Sequence, residues 1–91
     1  MKKQISIDHP IPIIVIGTSA GGLNALNELV AQLDVKMDAA VFIVMHLSNT
    51  SISDFLVHRL QHSTQYTCKL ARHGEPIVPN TIYISSPNKH Q

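Results

Sequence analysis

Ile13-Ile14-Val15-Ile16-Gly17-Thr18-Ser19-Ala20-Gly21-Gly22 is the stretch that decides the fold. A β-branched apolar run meets a glycine-rich turn, and Leu23, Leu26, Leu29, Val30 and Leu33 follow at helical spacing. The pattern is strand, tight turn, helix, with Ser19 at the apex of the turn. A strand with no polar face predicts a central parallel strand buried on both sides. The turn then falls at the carboxyl edge of a sheet, where open α/β folds place ligands and chemistry.

The rest of the chain extends this unit. The first strand is expected at about Ile13–Ile16, opened by Pro12, and the first helix at about Ala20–Leu33. Ala40-Val41-Phe42-Ile43-Val44-Met45 is a second continuous apolar run ending at His46. Strand, helix and strand in so short a span form a βαβ unit with a right-handed crossover. Ser51-Ile52-Ser53-Asp54 has the form of a capping box, with Ser51 as N-cap. Ile52, Phe55, Leu56 and Leu60 are the expected buried stripe of a second helix, which ends near His62 or Ser63. Tyr66–Leu70 alternates in polarity and predicts a half-exposed strand; Thr81–Ile84 is a short fourth one. Two strands buried on both faces need helices on each side, and two helices cover only part of that. Residues 13–91 therefore read as the first part of a larger α/β domain, after a polar lead-in over residues 1–12.

Composition narrows the function. Apolar residues make up 44% of the 91 and charged residues 14%, a globular balance. A formal charge of +1 gives no electrostatic case for nucleic acid or an anionic membrane. Two Tyr, two Phe and no Trp are too few for a base-stacking platform. No segment approaches the roughly 18–20 apolar residues that span a bilayer. The single cysteine, Cys68, forms no internal disulfide and agrees with a reducing compartment. A cytoplasmic protein is expected.

Three readings compete for the serine turn. Gly17-Thr18-Ser19-Ala20-Gly21 matches the nucleophile elbow G-x-S-x-G, in which a sharp strand-to-helix turn lifts a serine hydroxyl clear of the sheet. The helix N-terminus supplies N–H groups and partial positive charge for an oxyanion. The same residues also read Gly17-x-Ser19-x-x-Gly22, a dinucleotide fingerprint with its middle glycine replaced. That reading needs an acidic residue after the second strand, where Met45-His46-Leu47-Ser48 stands instead. In the third reading the glycines serve only the turn and close helix–sheet packing. His46 favours the first. It ends the second strand, on the same edge as Ser19, and neighbouring strands lie about 5 Å apart. An imidazole there has the reach to act as general base towards a serine hydroxyl.

Other residues invite chemistry without requiring it. His58 and His62 have a spacing able to bind metal, but they lie opposite Leu56 and Leu60 and lack a third ligand, which favours exposed side chains. Cys68 reads as a small packing residue, and Lys2 and Lys3 as a solvated terminus. No metal or cofactor site is expected.

At Ile16–Gly22, Val44–Ser48, Gly74-Glu75-Pro76-Ile77-Val78-Pro79, Ile82–Ile84 and Pro87–His90 the sequence resembles the catalytic domain of the CheB-type chemotaxis receptor methylesterases. The likeness runs from about Ile13 to His90. It implies a doubly wound, mostly parallel, Rossmann-like α/β domain, present here as its N-terminal part. The implied activity is hydrolysis of γ-glutamyl methyl esters on the cytoplasmic helices of chemoreceptors within phosphorelay signalling; many members also deamidate receptor glutamines. By position, the resemblance makes Ser19 the nucleophile and His46 its base. Backbone N–H groups near Ala20 and Gly21 hold the oxyanion, and Gly17 and Gly22 complete the turn. No cofactor is implied. The family's third triad residue is an aspartate beyond Gln91. Asp34 and Asp38 belong to the opposite edge, Asp8 precedes the first strand, and Asp54 reads as a helix cap. The twelve residues ahead of the first strand cannot hold a receiver domain. Alone, the 91 residues are expected to be inactive. The alternatives are a nucleotide or phosphate binder on the same turn and an inactive interaction module.

Overall fold

Runs of β-branched residues favour extended backbone, and leucines three and four apart favour helices; the two signals alternate along this chain. The computed structural model of the protein describes residues 11–19, 22–45 and 50–85. Strand β1 is Ile13–Thr18, helix α1 Leu23–Ala31, strand β2 Ala40–Met45, helix α2 Thr50–Gln61, strand β3 Thr67–Leu70 and strand β4 Thr81–Ser85. A 3-10 turn at Val35–Met37 joins α1 to β2. The four strands form one parallel sheet in the order β1-β2-β4-β3.

Connection handedness explains the layers. The steps β1 to β2 and β2 to β3 move the same way across the sheet, so right-handed crossovers put α1 and α2 on one face. Leu26 and Val30 of α1 and Leu56 and Leu60 of α2 are buried there against Val41, Ile43, Met45, Cys68, Ile82 and Ile84. Each such side chain contributes roughly 1.5–3 kcal/mol by leaving water. The step from β3 back to β4 runs the other way, and its loop crosses the second face. There Tyr83 stacks on Phe42 with ring centroids 4.9 Å apart. Its hydroxyl accepts from the Val78 N–H (2.9 Å) and donates to the Pro76 carbonyl (3.2 Å).

This layering corrects the expectation for β1. Among the described residues its one strand neighbour is β2, and its burial alternates. Ile14 and Ile16 pack on the core, whereas Ile13 and Val15 are 51% and 68% exposed. The sheet is α/β, parallel and Rossmann-like, with helices on one face and the 72–79 loop in place of helices on the other.

Two further expectations shift. Phe55, expected in the buried stripe, is exposed, with the Arg59 guanidinium 5.9 Å from its ring centre. Helix α2 begins at Thr50, which places Ser51 inside the first turn instead of at the N-cap. The amino edge of the sheet is fixed by two left-handed residues, Asp38 (φ 52°) before β2 and Asn80 (φ 60°) before β4. Short polar side chains tolerate that conformation. The Asn80 amide donates to the Asp38 carboxylate at 3.0 Å, tying the two turns together.

Candidate active site

The site is built where β1 gives way to α1. Ser19 follows the last residue of β1 and is exposed at the carboxyl edge. Its carbonyl oxygen accepts from the Gly22 N–H at 3.0 Å and from the Thr18 hydroxyl at 3.2 Å. These two bonds close the turn and fix the peptide that follows the serine. Gly22 is the N-cap of α1. A Cβ added there would collide with Thr18 Oγ1, so the glycine permits close approach of helix and strand. With its N–H committed to Ser19, Gly22 belongs to the turn and not to an oxyanion donor set. Gly17 differs: a Cβ there meets nothing within 4 Å, so crowding among the described residues does not demand a glycine. Thr18 is the contributor that sequence reasoning missed. The only signal for it is its position, four residues before Gly22.

Electrostatics at this turn suit a developing anion. The first turn of α1 carries no acidic residue, and Gly22 supplies no side-chain cap, so the positive end of the helix dipole faces the serine turn without local compensation. Ala20 and Gly21, expected to offer oxyanion N–H groups, lie outside the described residues, as does His46. The strand register is described up to them. Thr18 pairs with Met45 as the last couple of β1 and β2; Ser19 and His46 are the next residues in sequence.

Two of the aspartates belong to the other edge of the sheet. Asp34 accepts from the Lys36 N–H at 2.9 Å beyond the end of α1, and Asp38 sits before β2; both belong to the amino edge. Asp54 is exposed on α2. Cys68 is buried against the helices, and burial pushes its thiol up to about 11, which keeps it protonated near neutrality. A cleft lined by Leu33, Asp34, His62, Ser63 and Thr64 also opens at the amino edge, away from Ser19. No helix among the described residues is long and apolar enough to cross a membrane.

Residues 14–91 match the family CheB methylesterase. A protein-glutamate methylesterase/protein-glutamine glutaminase of Bacillus licheniformis is 36% identical over 78 residues, which cover 86% of this chain and 22% of that protein. One from Halalkalibacterium halodurans is 34% identical over 88 residues, covering 92% of the chain and 25% of the relative. The crystal structure of the Thermotoga maritima CheB methylesterase catalytic domain superposes with a TM-score of 0.78 at 29% identity. That match covers 90% of this chain and 43% of the other. The chain thus spans no more than a quarter of the length of these curated relatives. A serine at the carboxyl end of a parallel strand, a sheet that superposes on a solved relative and a match running from β1 to Gln91 converge: the chain belongs to the CheB methylesterase family.

Proposed function

We propose that residues 13–91 form the nucleophile-bearing part of a protein-glutamate methylesterase, following a lead-in over residues 1–12. The observation that carries the proposal is the register of β1 and β2. With Thr18 beside Met45, the next residues in sequence are Ser19 and His46, which this reading assigns as nucleophile and base. In this reading His46 takes the Ser19 hydroxyl proton as Oγ attacks the ester carbonyl of a methylated receptor glutamate. N–H groups near Ala20 and Gly21 receive the negative charge that develops on the carbonyl oxygen. The imidazolium returns its proton to the departing methoxy group as methanol forms. Water, deprotonated by His46, then cleaves the acyl-enzyme and restores the glutamate. A receptor glutamine fits the same steps with ammonia leaving. The chemistry calls for no metal or organic cofactor.

The orienting carboxylate is assigned to a residue beyond Gln91, since Asp34 and Asp38 lie at the amino edge and Asp54 is exposed on α2. The substrates are the cytoplasmic helices of methyl-accepting chemoreceptors, which makes the working location the cytoplasm. The test is a chimera joining residues 13–91 to the remaining part of the Thermotoga maritima catalytic domain. It should react with a fluorophosphonate at Ser19 and release methanol from methylated receptor. Ser19→Ala should abolish labelling and lower methanol release by at least about 10³-fold. A folded chimera labelled elsewhere, or one that keeps its activity after Ser19→Ala, overturns the proposal. The 91-residue chain alone should release no methanol above background. Activity there, lost on Ser19→Ala, would refute the assignment of the carboxylate to a later residue.

A further inference from the structure

His58 and His62 stand one helical turn apart at the end of α2, on a face set by the burial of Leu56 and Leu60. Both imidazoles are exposed, their ring planes cross at 78° with centroids 4.8 Å apart, and their Nε2 atoms are 3.4 Å from each other. At this separation one imidazole N–H can donate to the other ring nitrogen, or, with both nitrogens unprotonated, a cation can take the proton's place. Two imidazole nitrogens bound tetrahedrally to one zinc ion, each at about 2.0–2.1 Å, are separated by about 3.3 Å. The observed 3.4 Å matches that separation to within about 0.1 Å.

We propose that His58 and His62 bind one divalent transition ion of the borderline class, Zn²⁺ or Cu²⁺, through their Nε2 atoms. Neutral imidazole is a favoured ligand for both ions. Among the described residues no third His, Cys, Asp or Glu completes a cluster, so water fills the remaining positions and the site stays open to an outside ligand. The helix is held ready for this. Leu60 is fully buried, and the Gln61 side chain is bonded to the Tyr66 carbonyl and the Cys68 N–H. His62 lies one residue past α2, its N–H donating to the Arg59 carbonyl at 3.3 Å. A cation there also meets the negative end of the helix dipole. His62 borders the cleft at the amino edge, whereas Ser19 is at the carboxyl edge. The ion therefore acts on the end of α2 and leaves the serine turn alone.

The experiment titrates Zn²⁺ and Cu²⁺ into the tag-free, EDTA-stripped chain by calorimetry, and follows the thermal midpoint in parallel. One ion per chain is expected, with the midpoint raised by roughly 10 °C at a hundredfold excess over Kd. His58→Gln and His62→Gln should each weaken binding at least tenfold, with far-UV dichroism unchanged because both side chains are exposed. The Cu²⁺ resonance spectrum should show two equivalent imidazole nitrogens. The absence of binding at millimolar metal overturns the proposal. So does unchanged affinity in the doubly substituted chain, which would move the ion to another histidine.

Discussion

Cys68 carries its thiol on the side of β3 that α2 covers, and that position decides its chemistry. Burial raises its pKa from 9.0 to about 11. The folded value lies above the unfolded one, so the contribution to stability is complete below pH 9 and is lost as pH rises towards 11. The urea midpoint should therefore fall across that interval, and Cys68→Ala should flatten this part of the profile while costing about 1 kcal/mol at neutral pH. Comparing urea denaturation of the two proteins at several pH values between 7 and 11 checks this. Its role as a packing residue was legible in the sequence, because an apolar strand position next to a helix predicts burial. The exposed position of Ser19 was legible for a different reason: a glycine-rich turn between a strand and a helix presents its central residue at the sheet edge. Thr18 was not, because its contact with Gly22 depends on how closely α1 approaches β1, a distance that no periodicity encodes. The carboxylate proposed to orient His46 could not be picked out from the sequence, because Asp34 and Asp38 belong to the amino edge and Asp54 is exposed on α2.

At the scale of elements, β3 has β4 on one side and needs protection on the other. Gln61, the last residue of α2, provides it. Its side-chain amide donates to the Tyr66 carbonyl at 2.6 Å and accepts from the Cys68 N–H at 2.8 Å, as the peptide of a neighbouring strand would. Unpaired strand edges recruit other chains, and satisfying these two groups blunts the edge. Gln61→Ala should destabilise the protein by about 1–2 kcal/mol in chemical denaturation and increase light scattering with concentration. Gln61→Glu keeps the acceptor and loses the donor, so its cost should be at least as large. The existence and order of the helices and strands could be read from sequence, because each carries its own period. The insertion of β4 between β2 and β3 could not, because strand order depends on which faces the connections cross. Phe55 shows the limit of the periodic signal. It has the spacing of a buried residue, yet it is 54% exposed, with the Arg59 guanidinium beside its ring.

Among the described residues the sheet is covered unevenly, and the unevenness has a measurable consequence. One face of the sheet carries both helices; the other carries the 72–79 loop around Tyr83 and leaves Val15 (68%), Ile13 (51%) and Val44 (37%) exposed. Strands this apolar are found where both faces are covered, which is why β1 reads as a central strand although β2 is its one strand neighbour among the described residues. The superposition supplies the context: the chain accounts for 43% of the Thermotoga maritima catalytic domain. Contiguous apolar surface of this kind drives association and dye binding. The chain on its own should bind a hydrophobic fluorophore and show a mass that rises with concentration in sedimentation. Val15→Thr should reduce both without lowering the unfolding free energy from urea denaturation by more than about 0.5 kcal/mol, since an exposed isostere removes little burial. In the chimera with the remaining catalytic domain, the same substitution should cost about 1–3 kcal/mol, because the added hydroxyl would then be buried against apolar neighbours. Equal costs in the two proteins would mean that Val15 stays open to solvent in both, and that the second face of β1 is not where the rest of the domain packs.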